Sequence, residues 1–453
     1  MLLAPVHGVD APLGLLCARL APDSACHEQD TQQLGALAVD QESGGHERHI
    51  ERLRAERVRL AGQIAEAVKQ AAAAAEPVAV RHGVGEQPGL AFNRRFYMRD
   101  GGVRFNPGKM NPGIVRPAGP IDPAVGLVAF MPEDAKAPRA ALTVFSLHLD
   151  TVGGTDFSAD YPYHLQTRLR ERFGEDFLSL FGLAPCGDVN HVDVSHRQAQ
   201  KGHEEAARIG ATLAATVINL MPRLQSCEKP SLAMARSVVE VPLQRYTEDD
   251  LTWAKENILH LEDRDTPFLD KVKARRILDL AARDSATIPV EVQALRFCDD
   301  LALVFLPGEV FVELGLGIKY ASPFRNTLVI ELANDNPAYI PTAKAFAEGS
   351  YEVENSRIAS GGGERMAEAA RQLLYQLIDV SLKHGVQIVK GKTYTVIGHS
   401  SLGEIICSDF CTSVPCGNLG FSFTGNGIFL CLHQFGIYPA VQDFHGFLFV
   451  FML

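Results

Sequence analysis

A chain of 453 residues, 46% of them apolar, is long enough for one large α/β core with decorations or for two or three domains. A net charge of -11 with no Lys/Arg-rich block excludes the basic footprint that a nucleic acid or an anionic membrane surface requires. The nine cysteines form no CxxC pair and read as mostly reduced thiols, and neither a basic n-region nor an apolar run of about 18 residues is found, so a soluble chain without signal peptide or membrane span is expected, its compartment open.

Residues 1–46 show no stable period and read as irregular, a shortened N-terminal segment. From residue 47 to Pro77, Ile50, Leu53, Val58, Leu60, Ile64 and Val68 recur at helical spacing with Arg and Glu opposite, which predicts a long helix. "AFNRRFYMRDGGVRFNPG" predicts a hairpin across Asp-Gly-Gly. "GLVAFMP" and "RAALTVFSLHL" predict strands, the second buried on both faces because its apolar run is unbroken. A helix over 162–173, the strand "DFLSLFGLAP" and an Ala-rich helix in "HEEAARIGATLAATVINLM" follow. A helical excursion opens at the cap Thr247 and breaks around Thr266-Pro267. Then come a hairpin across Asp299-Asp300, a helix over 309–320, the strand "TLVIELAND" and a helix in "GERMAEAARQLLYQL". This alternation predicts the α/β class, layered mixed sheets flanked by helices, with ligands at the C-terminal ends of strands. Residues 384–453 are rich in Phe, Gly and Cys and have no clean period.

Several residues at those strand ends have chemistry to offer. His148 closes a buried strand and precedes Asp150 and a Gly pair; it reads either as a ligand in a loop-lined cleft or as a core histidine bonded to a carbonyl. Glu309 follows "LPG" and reads either as a helix-dipole carboxylate or as a rigidly held metal ligand. Tyr339 and Tyr351 flank a short helix and read as packing residues or, near a metal, as phenolate ligand and oxyanion donor. "CGDVNHVDVS" crowds His191, Asp193 and, just beyond, His196 into one loop, which at first sight is a compact metal box.

Taken together, "SLHLDTVGG", "GDVNHVDVS", "LPGE" and the paired tyrosines resemble, in order and spacing over residues 20–380, the neutral/alkaline non-lysosomal ceramidase family. The resemblance implies a zinc amidohydrolase with a single large catalytic domain at 47–383, acting on a small-molecule or lipid amide. It implies zinc held by His148, Glu309, Tyr339 and a first histidine, with Tyr351 stabilising the oxyanion and Arg94 of "FNRRF" lining the substrate site. The family's "T-H-T-H-x-G-P" string has no counterpart here, and the nearest candidate is His27 of "ACHEQDTQQLG", with His46 and His49 as rivals. Where the family has serine in G-(D/N)-x-S-P-N this chain has Asn190, which cannot be a nucleophile. On this view "CGDVNHVDVS" is a turn facing the substrate, not a metal box. No immunoglobulin-like domain is expected in 384–453. Such donors suit Zn²⁺, which lowers the pKa of bound water toward ~7. Two other readings stay open: hydrolysis of a different small amide or ester on the same scaffold, and a non-catalytic fragment of the family.

Overall fold

The computed structural model describes residues 43–132, 135–154, 157–261, 263, 265–383, 394–397, 406–408, 420–424 and 427–429. It opens with the long helix α1 (Ser43–Ala73), which stops short of Pro77 as the sequence requires. Then comes β1 (Val78–Glu86), followed by four short strands: β2 (Phe92–Asn93), β3 (Arg95–Met98), β4 (Val103–Phe105) and β5 (Ile114–Pro117). The expected Asp-Gly-Gly hairpin is the antiparallel pair of β3 and β4. Next are β6 (Ala124–Pro132), β7 (Ala140–Phe145), α2 (Asp160–Phe173), β8 (Leu178–Leu183), β9 (Val189–Asn190), α3 (Gly202–Leu220) and β10 (Gln225–Ser226).

The second half repeats much of this pattern. It comprises β11 (Ala233–Pro242), α4 (Glu248–Asn257), α5 (Phe268–Ala281), β12 (Thr287–Cys298), β13 (Leu301–Phe305), β14 (Glu309–Val310), α6 (Val312–Ala321), β15 (Asn326–Ile330), β16 (Tyr339–Ile340), α7 (Ala343–Glu348), α8 (Tyr351–Glu354) and α9 (Gly362–Lys383). One sheet has the order β10-β1-β6-β7-β8, and the other β11-β12-β13-β15. Three antiparallel pairings in the first and two in the second are followed by one parallel pairing, β7 with β8 and β13 with β15. Each parallel step is spanned by a helix, α2 or α6, because a parallel neighbour cannot be reached by a tight turn.

The two sheets pack face to face with helices outside, which gives four layers. On β7, Ala141 and Phe145 face Leu165, Leu169, Leu213 and Val217 of α2 and α3. Ala140, Leu142 and Val144 face the other way, into a core shared with Leu301, Leu303 and Phe305 of β13 and Leu328 and Ile330 of β15. The opposite face of the second sheet, with Ala302, Val304 and Val329, is covered by Leu314 and Ile318 of α6 and by Met366, Leu373 and Leu377 of α9. Strands sandwiched on both sides have no solvent face, which is why β7 and β13 read as unbroken apolar runs. The fold is thus the expected α/β arrangement of mixed sheets flanked by helices, in one domain.

The helical excursion is α4 and α5. At its start Thr247 Oγ1 accepts from the Asp250 N–H at 3.2 Å, while the Asp250 carboxylate accepts from the Thr247 N–H at 3.0 Å, a reciprocal cap. One expectation needs correcting: the helix placed over 309–320 begins only at Val312, and Glu309–Val310 is a strand paired in parallel with Tyr339–Ile340. Strands β1 and β11 carry no expectation from the sequence. Within 384–453 four short strands, β17 (Tyr394–Ile397), β18 (Ile406–Ser408), β19 (Gly420–Thr424) and β20 (Gly427–Phe429), pair antiparallel, and the rest of that tail lies outside the described residues.

Candidate active site

β7 and β13 lie in different sheets that share one core. Three residues past β7, His148 turns its ring toward the loop that follows β13, and its Nε2 lies 3.0 Å from Glu309 Oε2. The other ring nitrogen, Nδ1, lies 3.0 Å from the Val189 carbonyl oxygen. A carbonyl only accepts, so Nδ1 carries the ring proton, and in the neutral imidazole Nε2 presents a lone pair to a carboxylate that also only accepts. Two acceptors at hydrogen-bond distance require a proton or a cation between them. A histidine whose Nδ1–H is committed to a backbone carbonyl is also the usual preparation of a metal-ligating imidazole.

Glu309 reaches this position because β14 is a strand. Its register opposite Tyr339 puts the two residues side by side, so the helix-dipole reading of Glu309 does not apply. Gly308 makes the approach with φ at +77°, and a Cβ there would sit 2.7 Å from the Ala338 carbonyl oxygen. Gly187 has a similar task on the facing loop, since a Cβ on it would fall 2.4 Å from the Glu309 carbonyl oxygen. Behind the strand, Glu331 is buried and accepts the Val310 N–H at 2.5 Å and the Cys186 thiol at 3.0 Å. Burial pushes the Glu331 carboxyl well above its ordinary value.

The aromatic wall is built on an arginine. Tyr339 stacks near His148, with ring centroids 6.5 Å apart, and meets Tyr351 edge-on at 5.7 Å. The Arg94 guanidinium carbon sits 5.0 Å from the ring centre of Phe105, 5.3 Å from that of Tyr339 and 5.9 Å from that of Tyr351. With 2% of its surface exposed, Arg94 lies behind the tyrosines. It donates from Nε to Glu352 Oε1 at 2.9 Å and to the Gly187 carbonyl at 2.8 Å. Arg95 donates to the other oxygen of Glu352, also at 2.9 Å. Glu352 is completely buried, and its charge makes two adjacent buried arginines tolerable.

These charges set the protonation states. Burial works to raise the Glu309 carboxyl, but the hydrogen bond and charge of His148 hold it below its ordinary value, so it is ionised at neutral pH. Burial raises the Tyr339 phenol, and the Arg94 charge offsets this only in part, so the phenol keeps its proton. Burial works to lower Arg94, but Glu352, Tyr339 and Asp150 together more than compensate and its value is raised.

The opening of the following loop is held by a second pair. His191 Nδ1 lies 3.1 Å from Asp150 Oδ1 and Nε2 lies 2.8 Å from the Gln200 carbonyl oxygen. Burial disfavours charge on this ring, yet the hydrogen bond and charge of Asp150 raise its value. His191 is therefore engaged with Asp150, while His196 stands 3.7 Å from Asp193, so the three do not converge on a cation. Asn190, 1% exposed, pairs through its strand with Phe92; its Nδ2 donates to Asn106 Oδ1 at 3.3 Å and its Oδ1 accepts from the Val192 N–H at 3.0 Å.

His148, Glu309, Tyr339, Tyr351 and Arg94 thus come together at one end of the sandwich, and Asn190 lies in the adjoining turn with its amide already engaged. His27 lies outside the described residues, and His46 and His49 lie on α1 where no side chains are described. Adjacent ligands about 2.0 Å from a tetrahedral zinc stand about 3.3 Å apart, close to the spacing of His148 Nε2 and Glu309 Oε2, so this donor pair fits zinc. Glu352 was missed as a partner, although it sits beside Tyr351 in the motif and the tandem Arg94-Arg95 demanded a buried anion. The Asp150–His191 pair was missed because its members are 41 residues apart.

No protein-family model and no curated protein matches the chain. Among solved structures it is similar to the neutral ceramidase from Pseudomonas aeruginosa, with TM-score 0.50, 15% identity, and coverage of 67% of this chain and 53% of that one. A second similar structure is a ceramidase complexed with C2, with TM-score 0.48, 15% identity, and coverage of 78% and 57%. The chain therefore spans little more than half the length of the structures it resembles. The first likeness shows that the fold is ceramidase-like.

Proposed function

We propose that the chain is a zinc-dependent hydrolase of amide bonds, with an N-acyl lipid of the ceramide type as substrate. The observation that carries this reading is the pairing of His148 Nε2 with Glu309 Oε2 while His148 Nδ1 is committed to the Val189 carbonyl. The ceramidase-like fold and the order of the motifs support the substrate class. His148, Glu309 and Tyr339 would hold the metal, with His27 as a fourth donor from the N-terminal segment. When bound, zinc supplies Lewis-acid activation of water and of the acyl carbonyl. Glu309 is already ionised, so the proton a cation would displace is the one that lies between it and His148 Nε2. Arg94, clamped by Glu352 and the Gly187 carbonyl, steadies Tyr339 and Tyr351 from behind, which leaves Tyr351 as the O–H donor toward the charge that develops on the carbonyl oxygen.

A second reading, hydrolysis of a different small amide or ester, is favoured by Asn190, which stands buried and bonded to Asn106 and Val192 where the resemblance implies a serine hydroxyl. Metal content of the full chain and turnover of a short-chain fluorescent ceramide, measured beside simple amides and esters, test both. The expected result is stoichiometric zinc that is lost in His148→Ala, and ceramide turnover that chelation abolishes and zinc restores. Protein without stoichiometric zinc, or with zinc indifferent to His148→Ala, overturns both readings. Turnover of the simple substrates alone overturns the first.

A further inference from the structure

At the end of the sandwich remote from His148, a second set of reactive groups lies in the core between the sheets. Cys227, just after β10, is bonded through its N–H to the Val80 carbonyl of β1 and belongs to the first sheet. Cys298 ends β12 in the second sheet. Their sulfurs lie 2.8 Å apart, both residues are buried, and His82 Nε2 of β1 stands 3.9 Å from Cys298 Sγ. Asn326 Nδ2 donates to His82 Nδ1 at 2.9 Å, which leaves the ring proton on Nε2, directed at the sulfur.

We infer that Cys227 and Cys298 are an oxidation site and close a disulfide that staples the two sheets together. A disulfide needs the sulfurs to approach from 2.8 Å to about 2.05 Å. A cation held by His82, Cys227 and Cys298, the one such three-donor group among the described residues, needs the opposite movement. Two thiolates about 2.3 Å from one zinc stand about 3.8 Å apart, and His82 would have to give up the Nε2 proton. The smaller displacement is the disulfide.

The chemistry is available as well. Hydrogen bonding with Cys227, helped by that of His82, draws the Cys298 thiol below its ordinary value against the effect of burial, which favours Cys298 as the attacking sulfur. The residues that follow each cysteine, Glu228 to Pro230 and Asp299 to Asp300, are exposed, so the pair lies just beneath the surface. With a low-molecular-weight disulfide as oxidant, the Cys298 thiolate attacks one of its sulfurs and expels a thiolate. Cys227 then gives its proton to that thiolate and attacks Cys298 Sγ, expelling the second. Two protein thiols are oxidised and one small disulfide is reduced to two thiols.

The test is to equilibrate the full chain in a glutathione disulfide buffer, alkylate in denaturant and map the peptides. The expected product is a linked pair containing Cys227 and Cys298. Closing a loop across 71 residues raises the Tm by about 5 °C over the dithiothreitol-treated protein, and the rise is lost in Cys227→Ser. Because the first comparison uses the unmutated chain, a variant that fails to fold leaves it intact. Recovery of both cysteines as alkylated thiols with no linked peptide overturns the inference. So does a tightly held metal, retained by His148→Ala but lost from the Cys227→Ser/Cys298→Ser double variant, with both thiols free.

Discussion

Replacing Glu352 with Gln isolates the buried charge on which the aromatic wall rests. The carboxylate, wholly buried, accepts from Arg94 Nε and Arg95 Nη1, each at 2.9 Å. A glutamine keeps one acceptor and turns an NH₂ toward the other guanidinium, so one donor is left unmet and two buried cations share only the remaining ion pair, Arg95 with Glu348 at 3.2 Å. Breaking a buried pair this way costs about 3 to 5 kcal/mol, a large part of an overall stability of about 5 to 15 kcal/mol. With a urea slope of about 3 kcal/mol/M, the unfolding midpoint falls by about 1 M or more. The control is Glu368→Gln. Arg371, with Gln372, pulls that carboxyl down to about 2, but the pair lies at the surface and is screened by water, so its loss leaves the midpoint unmoved. If Glu352→Gln shifts the midpoint no more than Glu368→Gln does, the account of Arg94 and Arg95 as cations held in place by one buried anion is wrong.

Two further expectations rest on the loop after β8. Burial pushes the Asp188 carboxyl up to about 6, against the Val312 N–H and Asn93 amide that it accepts. Because the folded-state value exceeds the unfolded one of about 3.9, the native protein binds this proton more tightly, so the group's contribution is present below pH about 4 and is lost as pH rises through about 6. The stability of the wild type relative to Asp188→Asn should therefore fall by about 2 kcal/mol between pH 4 and pH 6; urea midpoints across that range check it, and a flat difference refutes it. Gly187→Ala places a methyl 2.4 Å from the Glu309 carbonyl oxygen, a backbone atom that can move only with its strand. The expected cost is about 1 to 3 kcal/mol, with weakened metal binding that calorimetric titration of zinc would detect.

Strands whose burial leaves an unbroken apolar run, β7 and β13, were legible because composition alone marks them. Strands β1 and β11 were not: Arg81, His82 and Glu86 in the first and Arg236 and Glu240 in the second punctuate the apolar residues, and pairing with β6 and β12 is a long-range fact. At the site, the strand-end positions of His148 and Glu309 were readable, as was the spacing of the tyrosines. The sequence misled at Glu309 itself, since a glutamate ahead of "VFVELG" has the look of a helix start. Only the parallel register with Tyr339 reveals a strand. Glu352 and the Asp150–His191 pair belong to contacts between segments far apart in the chain, about which local pattern is silent.

His148 and Glu309 hang from corresponding strands of two different sheets, so no single loop fixes the 3.0 Å between them. That spacing is inherited from the interior of the sandwich, where Leu142 and Val144 mesh with Leu303 and Phe305. The packed core is, in effect, the caliper that sets the site's jaw. A chain whose sheets slid past each other by a fraction of an ångström would keep its secondary structure and yet part His148 from Glu309. The distance between His148 Nε2 and Glu309 Oε2 is therefore a finer gauge of an intact core than any melting curve.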